Sequence, residues 1–414
     1  MNRSLANHRN TIITVLDVGG SKIACFIAQV NESGDAEIIG VGHQLAKGIR
    51  GGVVTDVEEA QTSIVATLHA AEEMAGINVE EVLVSVTLPE LHSRHVRVEL
   101  TLGNDPVSDR DMADIFREGE ANVTDGEYLL HSLPMGFSLD NNRGIHDPRG
   151  MLGEELTADL LLVTAPANLL RNLGHCIARC HLEVSGYVAA PYASGLACLE
   201  EDEKELGATL IDMGGSITGF AAFSGGKLVY LGNIPLGSNH ITQDIAVGLS
   251  TGIHESERLK TMYGSAIISP ADDEVMIEVP QLGSHDYDEG ETVPRSHLIH
   301  IMRPRLEEIF EMVHKRLEAS AIEHVGGNRL ILTGGGSQII GINDLAKRVM
   351  NKQSRTARPV TMDGLADSLS GPAFATAVGM IIYAMQRRNR ERWMESDKYS
   401  FWQQVLRWLG RSSR

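Results

Sequence analysis

Cysteine is scarce in this 414-residue chain, which has four: Cys25, Cys176, Cys180 and Cys198. Thiols spread that thinly cannot make a disulfide framework, and a reducing compartment suits them better. No stretch approaches the roughly 18 unbroken apolar residues of a membrane-spanning helix; the apolar run near Pro372 to Met385 is too short. The opening MNRSLANHRNTIITVLDVGG holds no run long enough for a signal peptide before Asp17 and Gly19 intervene. A cytoplasmic protein is therefore expected. No GxxxxGK[ST] segment, GxGxxG turn after a first strand or protein-kinase signature set is present, which argues against the Walker, dinucleotide and protein-kinase readings. Positive charge is also short: 36 Lys and Arg stand against 55 Asp and Glu, for a net charge of −19. From Arg387 onward the balance reverses, with eight basic and three acidic residues giving +5 and leaving −24 on the rest. Such a body should repel nucleic acid, while its tail is drawn to anionic surfaces.

The length suggests two or more domains, and a 43% hydrophobic composition can fill their cores. Two segments look alike. TIITVLDVGGSKIACFIAQV (Thr11 to Val30) and GATLIDMGGSITGFAAFSGGKLVYLGNIPLG (Gly207 to Gly237) each place a strand-like run before Asp-x-Gly-Gly-Ser and a second β-rich run after it. The pattern predicts a strand, a tight glycine turn and an antiparallel strand. The aspartates lie 195 positions apart, so a duplicated α/β domain is the simplest account.

Further elements follow from the pattern. Ala66 to Gly76 predicts a helix closed by glycine and Glu80 to Thr87 a strand. Residues 89–158, rich in charge, His, Asp and Gly, predict a small inserted subdomain. The α/β pattern resumes with a strand and a helix starting near Pro166 or Asn168. ITQDIAVGL predicts a helix, Ser265 to Pro294 a two- or three-strand subdomain, Pro304 to Glu323 a helix, Arg329 to Thr333 a strand and Phe374 to Met385 the last helix of the body. Cys176 and Cys180 could share a helix face with His175 and His181 nearby; zinc is conceivable there, and a plain buried face is the better reading.

The chemistry concentrates in three loops. Asp17 precedes Gly19, Gly20, Ser21 and Lys22, and Asp212 precedes Gly214, Gly215 and Ser216. Hairpins of small residues expose backbone N–H groups that can hold phosphate oxygens. The serines add hydroxyls and Lys22 a point charge. Asp17 and Asp212 would repel those anions, so their useful work is to hold Mg²⁺ directly or through its waters. The third loop, Gly334, Gly335, Gly336 and Ser337, follows a strand and lets a purine or ribose lie against backbone. The bland alternative for a single Asp-x-Gly-Gly turn is a structural one, glycine supplying positive φ. Two copies at a domain-sized interval, with the third loop, point to a nucleotide. Glu257 and Lys260, three apart on an expected helix, share a face and could be no more than a surface ion pair. No committed water-activating base or arginine finger is identifiable, and His43, His175 and His181 read as structural. Binding is thus better supported than rapid hydrolysis, and a slow or polymer-dependent ATPase would suit a switch.

These loops resemble the superfamily of actin, sugar kinases and heat-shock chaperone ATPases, and within it the FtsA family of bacterial cell-division proteins. DVGGSKIACFIAQV and LIDMGGS are similar to its two phosphate loops, GHQLAKGIRGGVVTDVEEA to the segment after the first hairpin, ESERLKTMYGSA to its nucleotide-contacting helix and LTGGGSQI to its adenosine loop. The resemblance spans essentially the whole chain. It implies an actin-like α/β fold of two duplicated lobes with ATP and Mg²⁺ between them. By motif match it implies a metal role and catalytic position for Asp17 and Asp212, and nucleotide contacts for Gly19 to Lys22, Gly214 to Ser216, Glu257, Lys260 and Gly334 to Ser337. The expected segments are a disordered 1–10, first-lobe core 11–86 and 161–206, an inserted subdomain 87–160, second-lobe core 207–225 and 303–385, a smaller second-lobe subdomain 226–302, a linker 386–398 and a terminal helix 399–414. It further implies self-association into filaments, contact with other membrane proteins of the division machinery, and binding of the FtsZ C-terminal peptide on 226–320, where Arg295, Arg303 and Arg305 could meet an acidic peptide.

The terminus YSFWQQVLRWLGRSSR completes the resemblance. On a helical wheel Phe401, Trp402, Val405, Leu406, Trp408 and Leu409 share an apolar arc roughly 160° wide. Gln403, Gln404, Arg407, Arg411 and Arg414 lie opposite. Sixteen helical residues reach only about 24 Å, too short to span a bilayer. Trp and Phe on one face and arginine on the other suit an interfacial helix on anionic lipid; packing on the protein's own body or on a partner is the bland alternative. The polar run Gln386 to Lys398 would let the tail reach away. Peripheral attachment at the cytoplasmic face of the inner membrane, at the division septum, is therefore expected. The alternatives are an actin-like ATPase of a pilus- or shape-determining system, or a sugar or metabolite kinase, for which no catalytic carboxylate can be placed.

Overall fold

Thr11–Val18 and Lys22–Val30 are strands that pair antiparallel, closing on Val18 opposite Ile23. Their side chains are buried almost throughout, as expected for a sheet covered on both faces. In this computed structural model the described residues are 11–31, 33–103, 105–281, 291–320 and 326–388. The expected N-terminal segment 1–10, residues 282–290 of the acidic stretch, linker residues from 389 and the tail 399–414 lie outside them.

The first hairpin sits in a five-stranded sheet ordered Glu183–Ala189, Glu81–Val86, Thr11–Val18, Lys22–Val30, Ala36–Leu45. Its first three strands run parallel and its last three antiparallel. The second sheet repeats the plan: Gln353–Thr356, Arg329–Thr333, Ala208–Met213, Thr218–Ser224, Lys227–Ile234. Met213 pairs with Thr218 just as Val18 pairs with Ile23, again 195 positions on. Both glycine hairpins therefore lie at the carboxyl ends of equivalent central strands, where open α/β sheets form their clefts.

Between the sheets, helix Ala190–Cys198 crosses a helix over 375–388. A Cβ on Gly379 would meet the Ala193 carbonyl oxygen at 1.8 Å, so glycine is what allows the backbones to touch there. One continuous apolar core, from Val15 and Phe26 through Ala193 to Phe223, Ile331 and Ile381, joins both sheets.

Local signals fix both ends of the first long helix. The helix reaching the expected Gly76 stop begins at Val57, because Asp56 accepts from Glu58 and Glu59 N–H at 3.0 and 3.0 Å; Gly76 takes the left-handed cap with φ 67°. The helix expected from Pro304 instead runs Arg295–Ala319 with that proline inside it. Leu298, Met302, Leu306, Ile309, Val313 and Leu317 form one buried stripe through the position. Their joint burial outweighs the roughly 3 kcal/mol cost of an interior proline. The last body helix likewise runs three residues beyond Met385, to 388.

Inserted between the strands of the first lobe is a four-stranded sheet ordered His92–Thr101, Glu155–Pro166, Glu127–Leu139, Asn142–Ile145. Helix Asp109–Glu120, opened by a Ser108–Asp111 capping box, packs on it through Ile115. This unit also grips the second lobe. Ser93 bonds the Leu231 backbone at 2.7 and 3.0 Å, His95 Nε2 lies 2.9 Å from Val229 O, and Lys227 donates to Met135 O at 2.8 Å.

Candidate functional site

The two glycine hairpins face each other across the interlobe cleft. Each closes through its first glycine: Gly19 N–H donates to Lys22 O at 3.0 Å and Gly214 N–H to Ile217 O at 3.1 Å. None of Gly19, Gly20, Gly214 and Gly215 has positive φ, so the bland explanation of these glycines fails. Close approach explains them: a Cβ on Gly20 would lie 2.4 Å from Ser216 Oγ, and one on Gly215 would lie 2.7 Å from Ser21 Cβ. Gly334 does take φ 81°, and a Cβ there would meet Asp212 Oδ1 at 2.4 Å. The third loop is thereby pressed against the second.

Asp17 and Asp212 occupy matching places at the cleft floor. Asp17 accepts from Ser85 Oγ at 2.8 Å, and that hydroxyl in turn accepts from Val18 N–H at 2.9 Å. Asp212 accepts from Ser194 Oγ at 2.6 Å and Thr376 Oγ1 at 3.2 Å. Burial raises the pKa of both carboxyls, Asp212 to about 6, where the charge of Asp17 adds to the rise. Lys22 sits beside them, its ammonium pushed down to about 8 by burial and partly restored by Asp17 and Asp212. It donates to Ala373 O and lies 3.2 Å from the centre of the Phe374 ring.

Gly52, Thr87, Ala190, Pro191, Ser238 and Thr376 join the expected loops in lining the cleft. Of the third loop, Gly334 and Gly335 reach it, whereas Ser337 is buried behind, donating to Gly334 O at 2.8 Å. Glu257 and Lys260 do not line it either. They sit on helix Ile253–Tyr263 as a 2.6 Å ion pair, both bonded to Thr242, and Lys260 reaches Ser238 O at 3.1 Å. They brace the start of the preceding helix, Ser238–Gly248, from behind.

Sequence reasoning missed Ser85, Ser194 and Thr376, which orient the carboxylates. Each is an isolated hydroxyl in an apolar segment and carries no motif. The conceivable zinc group is not assembled: among the described residues no three His, Cys, Asp or Glu side chains gather to hold a metal. Cys176 and Cys180 are buried, with Cys180 Sγ 3.4 Å from Cys176 O. Arg295, Arg303 and Arg305 all have partners within the chain. Arg295 pairs with Asp272 at 2.7 Å, Arg303 with Glu307 at 2.8 Å, and Arg305 with Asp244 at 2.8 Å and with Glu308.

The donor set suits a magnesium–phosphate ligand. Among the described residues the N–H groups of Gly20, Ser21, Gly215 and Ser216 donate to no protein acceptor, and two carboxylates are too few to enclose a metal without oxygens from waters or phosphates.

Two lobes of repeated topology, with paired hairpins meeting over a cleft, define an actin-like ATPase fold. Solved structures agree. The PilM–PilN type IV pilus biogenesis complex superposes with a TM-score of 0.65 at 16% identity over 91% of this chain and 99% of that one. MreB5 of Spiroplasma citri bound to ADP gives a TM-score of 0.55 at 15% identity over 92% and 98%. The family model "Cell division protein FtsA" matches residues 209–379, and "SHS2 domain inserted in FTSA" matches 89–164. Curated FtsA proteins are 39% identical in Rhizobium meliloti, over 92% of this chain and 89% of the relative, and 31% identical in Pseudomonas aeruginosa, over 91% and 90%. The chain belongs to the FtsA family of cell-division proteins, and carries that family's inserted SHS2 domain.

Proposed function

We propose that this protein binds Mg²⁺-ATP in the interlobe cleft and tethers FtsZ filaments to the cytoplasmic face of the inner membrane at the septum, where it recruits or regulates the division machinery. The observation that carries the reading is the pair of facing Asp-x-Gly-Gly-Ser hairpins, with their undirected N–H groups and two buried carboxylates. Asp17 and Asp212 would hold the metal, the loops from Gly19 to Lys22 and from Gly214 to Ser216 the phosphates, and Gly334 and Gly335 the nucleoside side. MreB5, of the same fold, has ADP bound in its solved structure. Glu257, Lys260, Gly336 and Ser337 would act from behind, setting the shape of the cleft wall. The Mg²⁺ accompanying the phosphates would offset the mutual repulsion of the two carboxylates and favour lobe closure.

The amphipathic 399–414 segment would supply the membrane anchor: its Arg407 and Arg411 meet anionic headgroups and Trp402 and Trp408 the interface. An acidic FtsZ peptide would exchange for the internal carboxylate partners of Arg295, Arg303 and Arg305. Self-association would then array many weak anchors along one filament.

The test is reconstitution on anionic vesicles with purified FtsZ filaments. The full chain with Mg²⁺-ATP should bring FtsZ down with the vesicles, and FtsZ alone should stay in solution. A chain that pellets with vesicles yet leaves FtsZ behind would defeat the tether.

A further inference from the structure

Lys22 is the only cation among the described residues lining the cleft, yet its ammonium hydrogen-bonds to neither hairpin nest. It donates to Ala373 O and rests against the face of Phe374. That ring also packs on the first lobe, 5.8 Å from the Phe26 ring and edge-on to His43 at 5.7 Å. The same turn is tied to the second lobe: Pro372 O accepts from Gly334 N–H at 3.1 Å, and Thr376 reaches Asp212. The turn leads directly into the 375–388 helix. Lys22 thus links the first hairpin to the start of the last body helix, across 351 positions of sequence.

We propose that the Phe374 ring and the Ala373 carbonyl form a parking site for the Lys22 ammonium that competes with a nucleotide's phosphates, so that phosphate binding breaks the Lys22 link between the first hairpin and the 371–376 turn. This rests on reading the cleft as a nucleotide site. An ammonium has three donors and one compact charge. Pressed on a ring, it has part of that charge met by the ring's negative face. Phosphate in the hairpin nests would draw the ammonium the other way, with much the larger charge. Whatever stabilises the parked lysine is therefore subtracted from nucleotide affinity. Phe374 acts here as a positioning residue, through Lys22.

The test measures Mg²⁺-ATP affinity by calorimetry for wild type, Phe374→Leu, Phe374→Tyr, Lys22→Met and the Lys22→Met/Phe374→Leu pair. Phe374→Leu should tighten binding about three- to tenfold. Phe374→Tyr, which keeps a ring face, should match wild type. Lys22→Met should weaken binding about tenfold, and Phe374→Leu should have no effect in that background. Unchanged or weaker binding by Phe374→Leu, while wild type binds, would overturn the parking site and leave the nucleotide reading intact. Should Phe374→Leu fold poorly, Phe374→Met, which also removes the ring face, takes its place with the same expected tightening and the same overturning result. A wild type that binds no Mg²⁺-ATP removes the nucleotide reading and this inference with it.

Discussion

Gly20 and Ser216 touch across the cleft: Ser216 Oγ donates to Gly20 O at 3.4 Å, and a methyl group on Gly20 would come within 2.4 Å of Ser216 Oγ. Gly215 and Ser21 make the reciprocal contact. The lobes meet through two small-residue loops whose roles exchange under the internal repeat. Gly20→Ala should therefore wedge the hairpins apart and weaken Mg²⁺-ATP binding at least about tenfold, some 1.4 kcal/mol. Gly20→Ala/Ser216→Gly, which removes the obstructing atoms, should regain most of it. Calorimetry checks both; wild-type affinity in the single variant would show that the loops are not clamped by this contact.

Asp212 is held uncomfortably. Burial pushes its folded pKa up to about 6, above the ordinary aspartate value of 3.8. The folded state binds the extra proton between those values, so stability falls as pH rises from about 4 to about 6, and the loss is complete above that. Asp212→Asn should thus stabilise the nucleotide-free protein at pH 7, by up to about 2 kcal/mol. The same change should abolish the Mg²⁺-dependent part of the thermal shift given by ATP. Thermal melts at pH 5 and 7, with and without Mg²⁺-ATP, read both effects. A destabilised variant at pH 7 would mean that the bonds from Ser194 and Thr376 matter more than the buried charge.

Lys22 predicts a pH dependence of opposite origin. Burial lowers its pKa to about 8, so the ammonium is largely present at pH 7 and largely lost at pH 9. Nucleotide affinity should fall several-fold across that interval. Lys22→Arg, which stays charged, should flatten the profile. An equal decline in both proteins would assign the dependence to another group.

The tail prediction follows from sequence alone. Trp408→Glu, or truncation after Ser396, should reduce co-sedimentation with anionic vesicles by at least about tenfold and leave nucleotide binding unchanged. Equal pelleting of all three proteins, with a lipid-free control excluding polymer, would move the membrane site elsewhere.

Much of the hairpin chemistry was legible in the chain. Strand alternation on either side of Asp-x-Gly-Gly-Ser encodes a hairpin locally, and its recurrence 195 positions later announces the repeat. Neighbouring residues supply that information, so it survives without a fold. The same holds for Asp56 and Gly76 at the ends of one helix, where capping is a short-range bond. What the glycines are for was not legible, because their crowding comes from a loop about 195 residues away rather than from their own φ. Pro304 read as a helix start until the buried stripe on either side of it could be seen to pack. Ser85 lies 68 positions from Asp17, and Thr376 lies 164 from Asp212. No local pattern marks such hydroxyls. They become site residues when two sheets and the helices between them bury enough apolar surface to bring distant strand ends and turns together, and only that closure decides which polar groups meet.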